Sequence, residues 1–251
     1  MIARLAVSAL MLGPAALHAD AAGAACERSA FRIVLDVGHS PESPGAKSAR
    51  GVDEYQFNLA LAAAIESHLQ QRGYTETTRM LTGGGRAGLG TRVAKANALQ
   101  PDLFLSVHHD SVQKTYLETW SVNGTDQQYS DRFKGWSLFV SQASGHPRES
   151  AAFARMLADR LLASGLPFTR HHAQAIRGEN RRFLDAARGI YRYDALAVLK
   201  ATEAPAVLME AGLIVNRAEE EQLAGVGRQN RIASAVTDAV DAFCHAEHGA
   251  R

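Results

Sequence analysis

Short apolar runs of strand length alternate along this chain with segments of helical periodicity, and this alternation limits the fold more than any other feature. The runs at 31–36 (FRIVLD), 102–108 (DLFLSVH) and 205–210 (PAVLME) are rich in aliphatic and β-branched residues, as expected of buried strands. From 53 to 72 the apolar residues recur at every fourth position and Gly73 follows, which predicts an amphipathic helix. The pattern predicts an α/β fold with a twisted, mostly parallel central sheet of about six strands flanked by helices.

The other segments fit one domain with an insertion. Residues 117–141 alternate apolar and polar side chains and contain Asn123-Gly124, which favours an extra hairpin-like piece. No internal repeat or low-complexity linker divides the chain, so we expect a single domain over 26–251. Further elements are predicted as a strand at 75–81 and helices at 90–99, 149–162 and 232–243.

The N-terminal residues have the pattern of a secretory signal peptide. Arg4 precedes an apolar stretch from Leu5 to Leu17, and small residues including Ala19-Asp20-Ala21 follow. The stretch is shorter than the roughly 20 residues of a membrane-spanning helix, and no later segment is apolar for that length. We therefore expect residues 1–25 to be a cleaved signal, with an approximate cleavage site, and the protein to be exported to the periplasm or the extracellular space. A buried N-terminal helix is the alternative.

The charge and the cysteine content limit the binding partners and the cellular compartment that we expect. The 27 basic and 26 acidic side chains give a net charge of +1, so no strong field favours nucleic acid or an anionic membrane surface. Two cysteines, Cys26 and Cys244, stand near the two ends of the mature chain. An oxidising compartment would allow them to form a disulfide; the alternative for Cys26 is a lipid-anchor site.

Ionisable residues stand at three predicted strand ends. His39 follows the first strand, His108 ends the third and Glu210 ends the last, while Glu54 lies in the first turn of the helix after His39. Ligands of open α/β sheets bind at the carboxyl ends of the strands, so we expect these side chains to share one edge. Two neutral imidazoles and one carboxylate are a donor set for catalytic zinc, which keeps a fourth position for water.

Each of these residues also has a simpler explanation. His39 alone is compatible with a surface turn, and Glu54 with the favourable field of a helix N-terminus. His108 alone is compatible with a core histidine, and His109 beside it competes for the same role. Glu210 directly follows AVLM, so we expect it to be nearly buried. Burial of an unpaired carboxylate lowers the stability of the folded protein by several kcal/mol. Spacing alone leaves the zinc and the structural interpretations open.

The order of the motifs is more specific than any one of them. LDVGHS with Gly45-Ala46 is followed by Glu54 with Asn58-Leu59, by Arg92 and Asn97, by DLFLSVHHD and by PAVLMEAGLIVNRAEEEQL. Together these resemble the zinc-dependent N-acetylmuramoyl-L-alanine amidases, the amidase-3 class of bacterial cell-wall hydrolases. The resemblance covers nearly the whole chain, from about 31 to 243.

The resemblance implies a function and a role for each residue. His39, Glu54 and His108 would ligate zinc and Glu210 would be the catalytic carboxylate. The reaction would be hydrolysis of the amide between N-acetylmuramic acid and L-alanine of the stem peptide. We expect peptidoglycan as the substrate, a monomer, no nucleic-acid partner and no membrane span; an activator protein is not identifiable. One alternative is a zinc peptidase that cuts another peptidoglycan amide. The other is a catalytically silent wall-binding protein; the presence of all four site residues argues against it, because an inactive relative would be expected to have lost at least one.

The sequence departs from the family pattern at three places. Val37 stands where proline is common, so the loop before His39 is expected to be less rigid. His109-Asp110 replaces a small residue followed by asparagine or aspartate, and the hairpin-like insertion is longer than the minimal fold needs. Successive side chains of a strand face opposite ways, and the resemblance selects His108 as the ligand. His109 would then contact the site or substrate, or lie on the outer face.

Two further groups have open roles. Asp36 and Asp110 lie close to the ligand histidines in sequence and would suit orientation of an imidazole by hydrogen bonding; a strand-end acid and a loop residue are equally plausible. His171-His172 and the GENRR stretch at 178–182 would suit the wall of a substrate groove, or a solvated charged loop.

Overall fold

A computed structural model describes residues 26–83 and 86–249, without the side chains of residues 86, 87, 248 and 249. The predicted signal peptide, residues 1–25, lies outside the described residues. The strands are β1 (Ile33–Val37), β2 (Thr77–Met80), β3 (Leu103–Asp110), β4 (Glu118–Val122), β5 (Thr125–Tyr129), β6 (Ser137–Val140), β7 (Phe183–Asp185), β8 (Ile190–Arg192) and β9 (Ala206–Leu213). The α-helices are α1 (Glu54–Gln71), α2 (Arg86–Ala98), α3 (Pro147–Ala163), α4 (Ala197–Ala201), α5 (Arg217–Ala224) and α6 (Val226–Gly249).

Seven of the described strands form one mixed sheet in the order β2-β1-β3-β9-β6-β8-β7. The β2, β1, β3 and β9 strands are parallel to their neighbours, whereas β6 runs antiparallel to β9 and β7 antiparallel to β8. The parallel half places the carboxyl ends of β1, β3 and β9 side by side at one edge. The sequence prediction of an α/β fold with a mostly parallel sheet is confirmed, with one strand more than the six expected.

Alternate residues of the strands pack against helices on both faces of the sheet. On one face, Leu35, Leu105 and Val207 pack with α1, α3 and α6 in the larger hydrophobic core. On the other, Phe104 and Leu208 pack with the smaller set of residues from α2 and α4. Strands that are buried on both faces read as continuous apolar runs rather than as alternating ones, which explains the runs in the sequence.

The predicted hairpin is confirmed for the first part of residues 117–141 and is wrong for the last part. The β4 and β5 strands form a separate two-stranded antiparallel sheet around Asn123-Gly124. The β6 strand, which we expected to belong to this insertion, pairs with β9 in the central sheet and is fully buried. The sequence SLFV contains too few residues to distinguish a buried sheet strand from one arm of a hairpin.

A disulfide and a group of ionic hydrogen bonds join the two ends of the described chain. Cys26 is bonded to Cys244 of α6, with the two Cα atoms 5.4 Å apart; of the two alternatives that the sequence left open for Cys26, the structure has the disulfide. Asp241, one turn earlier on α6, accepts hydrogen bonds from Arg28 at 2.9 Å, Arg72 at 2.6 Å and Tyr74 at 2.7 Å. In the part of the chain that the structure describes, no helix is both long and apolar enough to cross a membrane.

Candidate active site

A buried arginine from α2 holds the loop that positions His39. The Arg92 guanidinium pairs with the Asp36 carboxylate and donates to the backbone carbonyls of Val37 at 2.7 Å and His39 at 3.0 Å. The second Asp36 oxygen accepts from the Ser106 hydroxyl at 2.7 Å. These contacts fix His39 in a left-handed conformation with φ of 67°, which is uncommon for a residue with a side chain. Asp36 thus braces the loop through Arg92, and Arg92 supplies the rigidity that Val37 lacks relative to proline.

Glu54 lies between the two predicted ligand histidines. One carboxylate oxygen, Oε2, is 3.0 Å from His39 Nε2, and the other, Oε1, is 3.1 Å from His108 Nδ1. Oε2 also accepts from the Ala46 backbone amide at 3.1 Å, and Oε1 from the Asn58 side chain at 3.2 Å. The potential ligand atoms of the three predicted metal residues lie within 4.8 Å of one another. The structure therefore brings together three groups that could hold one metal ion.

The electrostatic state of Glu54 suits a ligand. Burial alone would raise its pKa, but hydrogen bonds to His108 and His39 hold the pKa of this carboxyl well below its usual range. A carboxylate that stays ionised at all physiological pH values offers a permanent negative charge to a cation. The favourable field at the start of α1 acts in the same direction.

Two glycines leave room for these side chains. At Gly38, a Cβ atom would come within 2.4 Å of the His108 ring. At Gly45, with φ of 83°, a Cβ atom would come within 2.4 Å of Glu54 Oε2 and 2.7 Å of the His39 ring. Any larger residue would displace the side chains that the site needs, because real Cβ contacts are longer than 3.0 Å.

His109 faces away from the cluster and supports it from behind. Its ring is buried against α1, with Nδ1 2.8 Å from Asn58 Oδ1 and the ring centroid 5.6 Å from that of Phe57. Asn58 in turn donates to Glu54 and to the Gly38 carbonyl. Burial lowers the pKa of His109 to about 3, so the ring is neutral. The sequence left open a contact with the site or the substrate and a position on the outer face, and the burial of the ring excludes the outer face. The His109 ring reaches Glu54 through Asn58, and the His109 backbone amide donates to Glu54 Oε1 at 3.4 Å.

Glu210 lies beside His108 in the sheet, because β9 and β3 are neighbouring strands and the two residues are register partners. Its Oε2 atom is buried and has no hydrogen-bond partner among the described residues. Burial and the nearby carboxylates of Asp110 and Glu54 raise the pKa of Glu210 well above its usual value. The side chain is thus a carboxyl group with high proton affinity and a free oxygen beside the predicted metal residues.

A cleft of about 470 Å³ gives access to this cluster. His39 and His108 form part of its wall together with Arg92, Leu196 and Leu208. The two histidine side chains remain 30% and 18% exposed, whereas the Glu54 side chain is 6% exposed. A ligand in the cleft can therefore reach the imidazoles, while the carboxylate behind them is protected from water.

His171 and His172 occupy a different place from the predicted one. Both rings are buried, and both Nε2 atoms contact Asp110 Oδ2, at 3.2 and 2.8 Å. The second ring nitrogen of His172 is 2.9 Å from Glu179. Neither ring lies in a solvated loop, whereas residues 179–182 of the GENRR stretch line a separate surface cleft of about 460 Å³. In this stretch Glu179 is tied to His172 and Arg182 is exposed. Only the adjacency of two histidines marked this group in the sequence, because Asp110 is sixty-one positions away from His171.

An open α/β sheet with a His–Glu–His group at the strand ends and a spare carboxyl beside it is typical of metal-dependent hydrolases. The Amidase_3 family model, described as N-acetylmuramoyl-L-alanine amidase, matches residues 33–242. The chain therefore belongs to the Amidase_3 family.

Similar proteins share this description. The chain is 26% identical over 221 residues to N-acetylmuramoyl-L-alanine amidase AmiC of Neisseria meningitidis, with 84% of this chain and 52% of that protein aligned. It is 26% identical over 224 residues to AmiA of Escherichia coli, with 85% of this chain and 76% of that protein aligned. The chain spans about half the length of AmiC.

Solved structures show the same fold. The catalytic domain of CwlV, an N-acetylmuramoyl-L-alanine amidase from Bacillus (Paenibacillus) polymyxa, aligns with a TM-score of 0.63 and 27% identity over 85% of this chain and 97% of that domain. An N-acetylmuramoyl-L-alanine amidase from Clostridium difficile aligns with a TM-score of 0.64 and 18% identity over 86% of this chain and 97% of that chain. At 18% identity the second likeness concerns the fold alone.

Proposed function

We propose that this protein is a zinc-dependent N-acetylmuramoyl-L-alanine amidase that releases stem peptides from the glycan strands of peptidoglycan. One observation above all supports the proposal: the ligand atoms of His39, Glu54 and His108 lie within 4.8 Å of one another, with the two histidines in the wall of an accessible cleft. Glu210 is the register partner of His108, and the chain matches the amidase family over most of its length.

The residues present fit zinc. Two imidazole nitrogens and one carboxylate oxygen are a common donor set of catalytic zinc sites. Donor atoms about 2.0–2.1 Å from one ion at a tetrahedral angle lie about 3.3 Å apart. The distance from Glu54 Oε2 to His39 Nε2 is 3.0 Å, and that from Glu54 Oε1 to His108 Nδ1 is 3.1 Å, so both are close to this value. A bound zinc ion supplies a Lewis acid that polarises a carbonyl and makes water more acidic.

Glu210 is proposed to move the proton. Its free Oε2 atom can accept a proton from the attacking water and pass it to the nitrogen of the departing L-alanine. A raised pKa suits this task, because a catalytic acid–base group works best when its pKa lies near the working pH. The amide C–N bond breaks, the lactyl carboxylate forms and the peptide leaves with a free amino terminus.

The remaining residues keep the geometry. Arg92 fixes the backbone on both sides of Gly38. Asn58 donates a hydrogen bond to Glu54, and Asn58 is itself held by the ring of His109. Metal ligands generally need such outer partners for correct orientation. We further propose that the protein is exported: a cell-wall substrate requires it, and the Cys26–Cys244 disulfide is stable in an oxidising compartment.

The experiment is digestion of purified peptidoglycan, with mass spectrometry of the soluble products. We expect intact stem peptides that begin with L-alanine, and loss of the activity with a chelator and its return with zinc. Shorter peptides from unlinked stems would instead identify a peptidase that cuts another amide. No release by metal-loaded, folded protein would indicate the silent wall-binding alternative, and activity that survives complete metal removal would refute both zinc-dependent functions.

A further inference from the structure

A second group of metal-ligand side chains shares no residue with the proposed active site, although its Asp110 lies near Glu210. It consists of Asp110, at the end of β3, and the adjacent His171 and His172, in the 3₁₀ turn His171–Ala173. The possible ligand atoms of these three residues also lie within 4.8 Å of one another. The amidase reaction as proposed above uses none of them.

The direction of the contacts distinguishes this group from an ordinary ion pair. Asp110 Oδ2 is 2.8 Å from His172 Nε2 and 3.2 Å from His171 Nε2, distances that would suit either hydrogen bonds or shared ligation. All three atoms are buried, yet none forms a hydrogen bond of acceptable geometry with any described residue. Buried polar atoms are nearly always hydrogen-bonded. Three such atoms that lie within 4.8 Å of one another without aligned hydrogen bonds have the arrangement expected of ligands around one ion.

The opposite nitrogen of each ring has a partner that fixes its orientation. His171 Nδ1 is 3.1 Å from the Thr169 hydroxyl, and His172 Nδ1 is 2.9 Å from Glu179 Oε2. Glu179 is itself held by the Gln113 side chain, which donates to its other oxygen at 3.0 Å. Metal-bound histidines characteristically have their second nitrogen engaged with a carboxylate or another polar group. Both rings therefore present Nε2 towards Asp110 and away from these partners.

The charge and the surroundings also suit a cation. The Asp110 Oδ1 atom accepts from the backbone amide of Ser111 at 2.8 Å, which leaves the other carboxylate oxygen, Oδ2, facing the two rings. Aromatic rings enclose the group: Phe133 lies 5.5 Å from the His171 ring centroid, and Phe139 lies 4.8 Å from that of His172. Such an apolar wall strengthens the attraction between a buried carboxylate and a cation.

From this geometry we infer a second, structural metal site formed by Asp110, His171 and His172, which binds a divalent transition metal of the zinc class. Two imidazole nitrogens and one carboxylate oxygen select such ions over magnesium or calcium, which prefer oxygen ligands alone. The bound ion joins the end of β3 to the segment 169–179, which is far away in sequence. The inference is independent of the proposed amidase activity, because it concerns different residues and is tested by metal content.

The test is the zinc content of the purified, folded protein by mass spectrometry of the elements, in four single variants and one double variant. We expect two zinc ions per wild-type chain, one in His39→Ala, one in His172→Gln and one in His171→Gln. The matched control His68→Gln replaces a histidine of α1 that belongs to neither group, and should keep two. The double variant His39→Ala/His172→Gln should hold none.

The decisive sample is His39→Ala, which has no intact amidase site. One zinc ion in this variant, lost on further replacement of His172, supports the second site; no zinc in His39→Ala refutes it. One zinc ion in the wild type that persists in His172→Gln also refutes it. Circular dichroism checks the fold, and if the His172 variants do not fold, cobalt binding to His39→Ala decides: one tightly bound cobalt ion supports the site, none refutes it. Failure of the amidase proposal would show instead in the digestion products.

Discussion

Replacement of Gly45 by alanine should remove the active-site metal while leaving most of the protein's stability. Gly45 has a φ of 83°, and its new Cβ would lie 2.4 Å from Glu54 Oε2 and 2.7 Å from the His39 ring. Ordinary van der Waals contact begins at 3.4 Å, so the carboxylate oxygen must move by about 1 Å. Metal–ligand distances are tolerant to only about 0.2 Å, so Glu54 can no longer coordinate together with the histidines.

The expected magnitudes differ for metal affinity and for stability. Mutations of outer partners, which leave the ligands themselves intact, typically weaken metal binding about 10–100-fold; displacement of a ligand should therefore weaken it by at least about 100-fold. The left-handed backbone costs an alanine about 1–2 kcal/mol. In a domain of this size each kcal/mol lowers the melting temperature by roughly 2–4 °C, so we expect a decrease of about 2–8 °C.

Gly165→Ala separates the two effects. Gly165 also has a positive φ, 72°, but no atom lies within 4 Å of the position that an added Cβ would take. This variant should show the backbone cost and keep its zinc. The assays are zinc titration with a competing chelator, thermal unfolding and peptidoglycan digestion. Wild-type zinc affinity in Gly45→Ala, at a stability equal to that of Gly165→Ala, would refute the proposed position of the ligands.

Three further perturbations test the site and the closure of the chain. Glu210→Gln should keep its zinc but release stem peptides about 10²–10⁴-fold more slowly; a wild-type rate would rule out Glu210 as the acid–base group. The double variant Cys26→Ser/Cys244→Ser removes a link across 218 positions, and chain entropy predicts a loss of up to about 5 kcal/mol in the unfolding free energy; denaturant titration showing no loss would contradict this. Asp241→Asn should destabilise the protein at pH 7. Burial would raise the pKa of Asp241, but hydrogen bonds from Tyr74 and neighbouring arginines lower it. Because the pKa of Asp241 is lower in the folded than in the unfolded state, the carboxylate stabilises the folded protein at pH values above the unfolded-state pKa of about 3.9. This stabilisation is lost as the pH falls through the folded-state pKa. The difference between wild type and Asp241→Asn should therefore shrink below about pH 4 in urea titrations, and a constant difference would contradict the assignment.

The sequence allowed prediction of the elements with the strongest local signals. The period of four in α1 and the apolar runs of β1, β3 and β9 are visible locally, because buried strands and amphipathic helices leave patterns of fixed period. The short strands β7 and β8 contain three residues each and have no such pattern. They form because neighbouring strands offer them backbone partners, which a single sequence does not reveal.

The hydrogen bonds that hold the active-site residues in place could not be predicted from the sequence either. Arg92 was part of the family resemblance, but nothing in its neighbourhood along the chain indicated that it holds Asp36 and the carbonyls beside His39. His171 and His172 had the composition of a charged loop, and their burial against Asp110 depends on how that loop packs. Hydrogen bonds between distant segments leave no periodic trace in the sequence.

The sequence by itself determined the type of fold, the strand ends at which His39, His108 and Glu210 stand, and the family. Only the tertiary structure decided what His109 contacts, and where His171 and His172 lie. The physical reason is that local patterns set the conformation of each segment, whereas contacts between side chains from different segments arise only when packing brings those segments together.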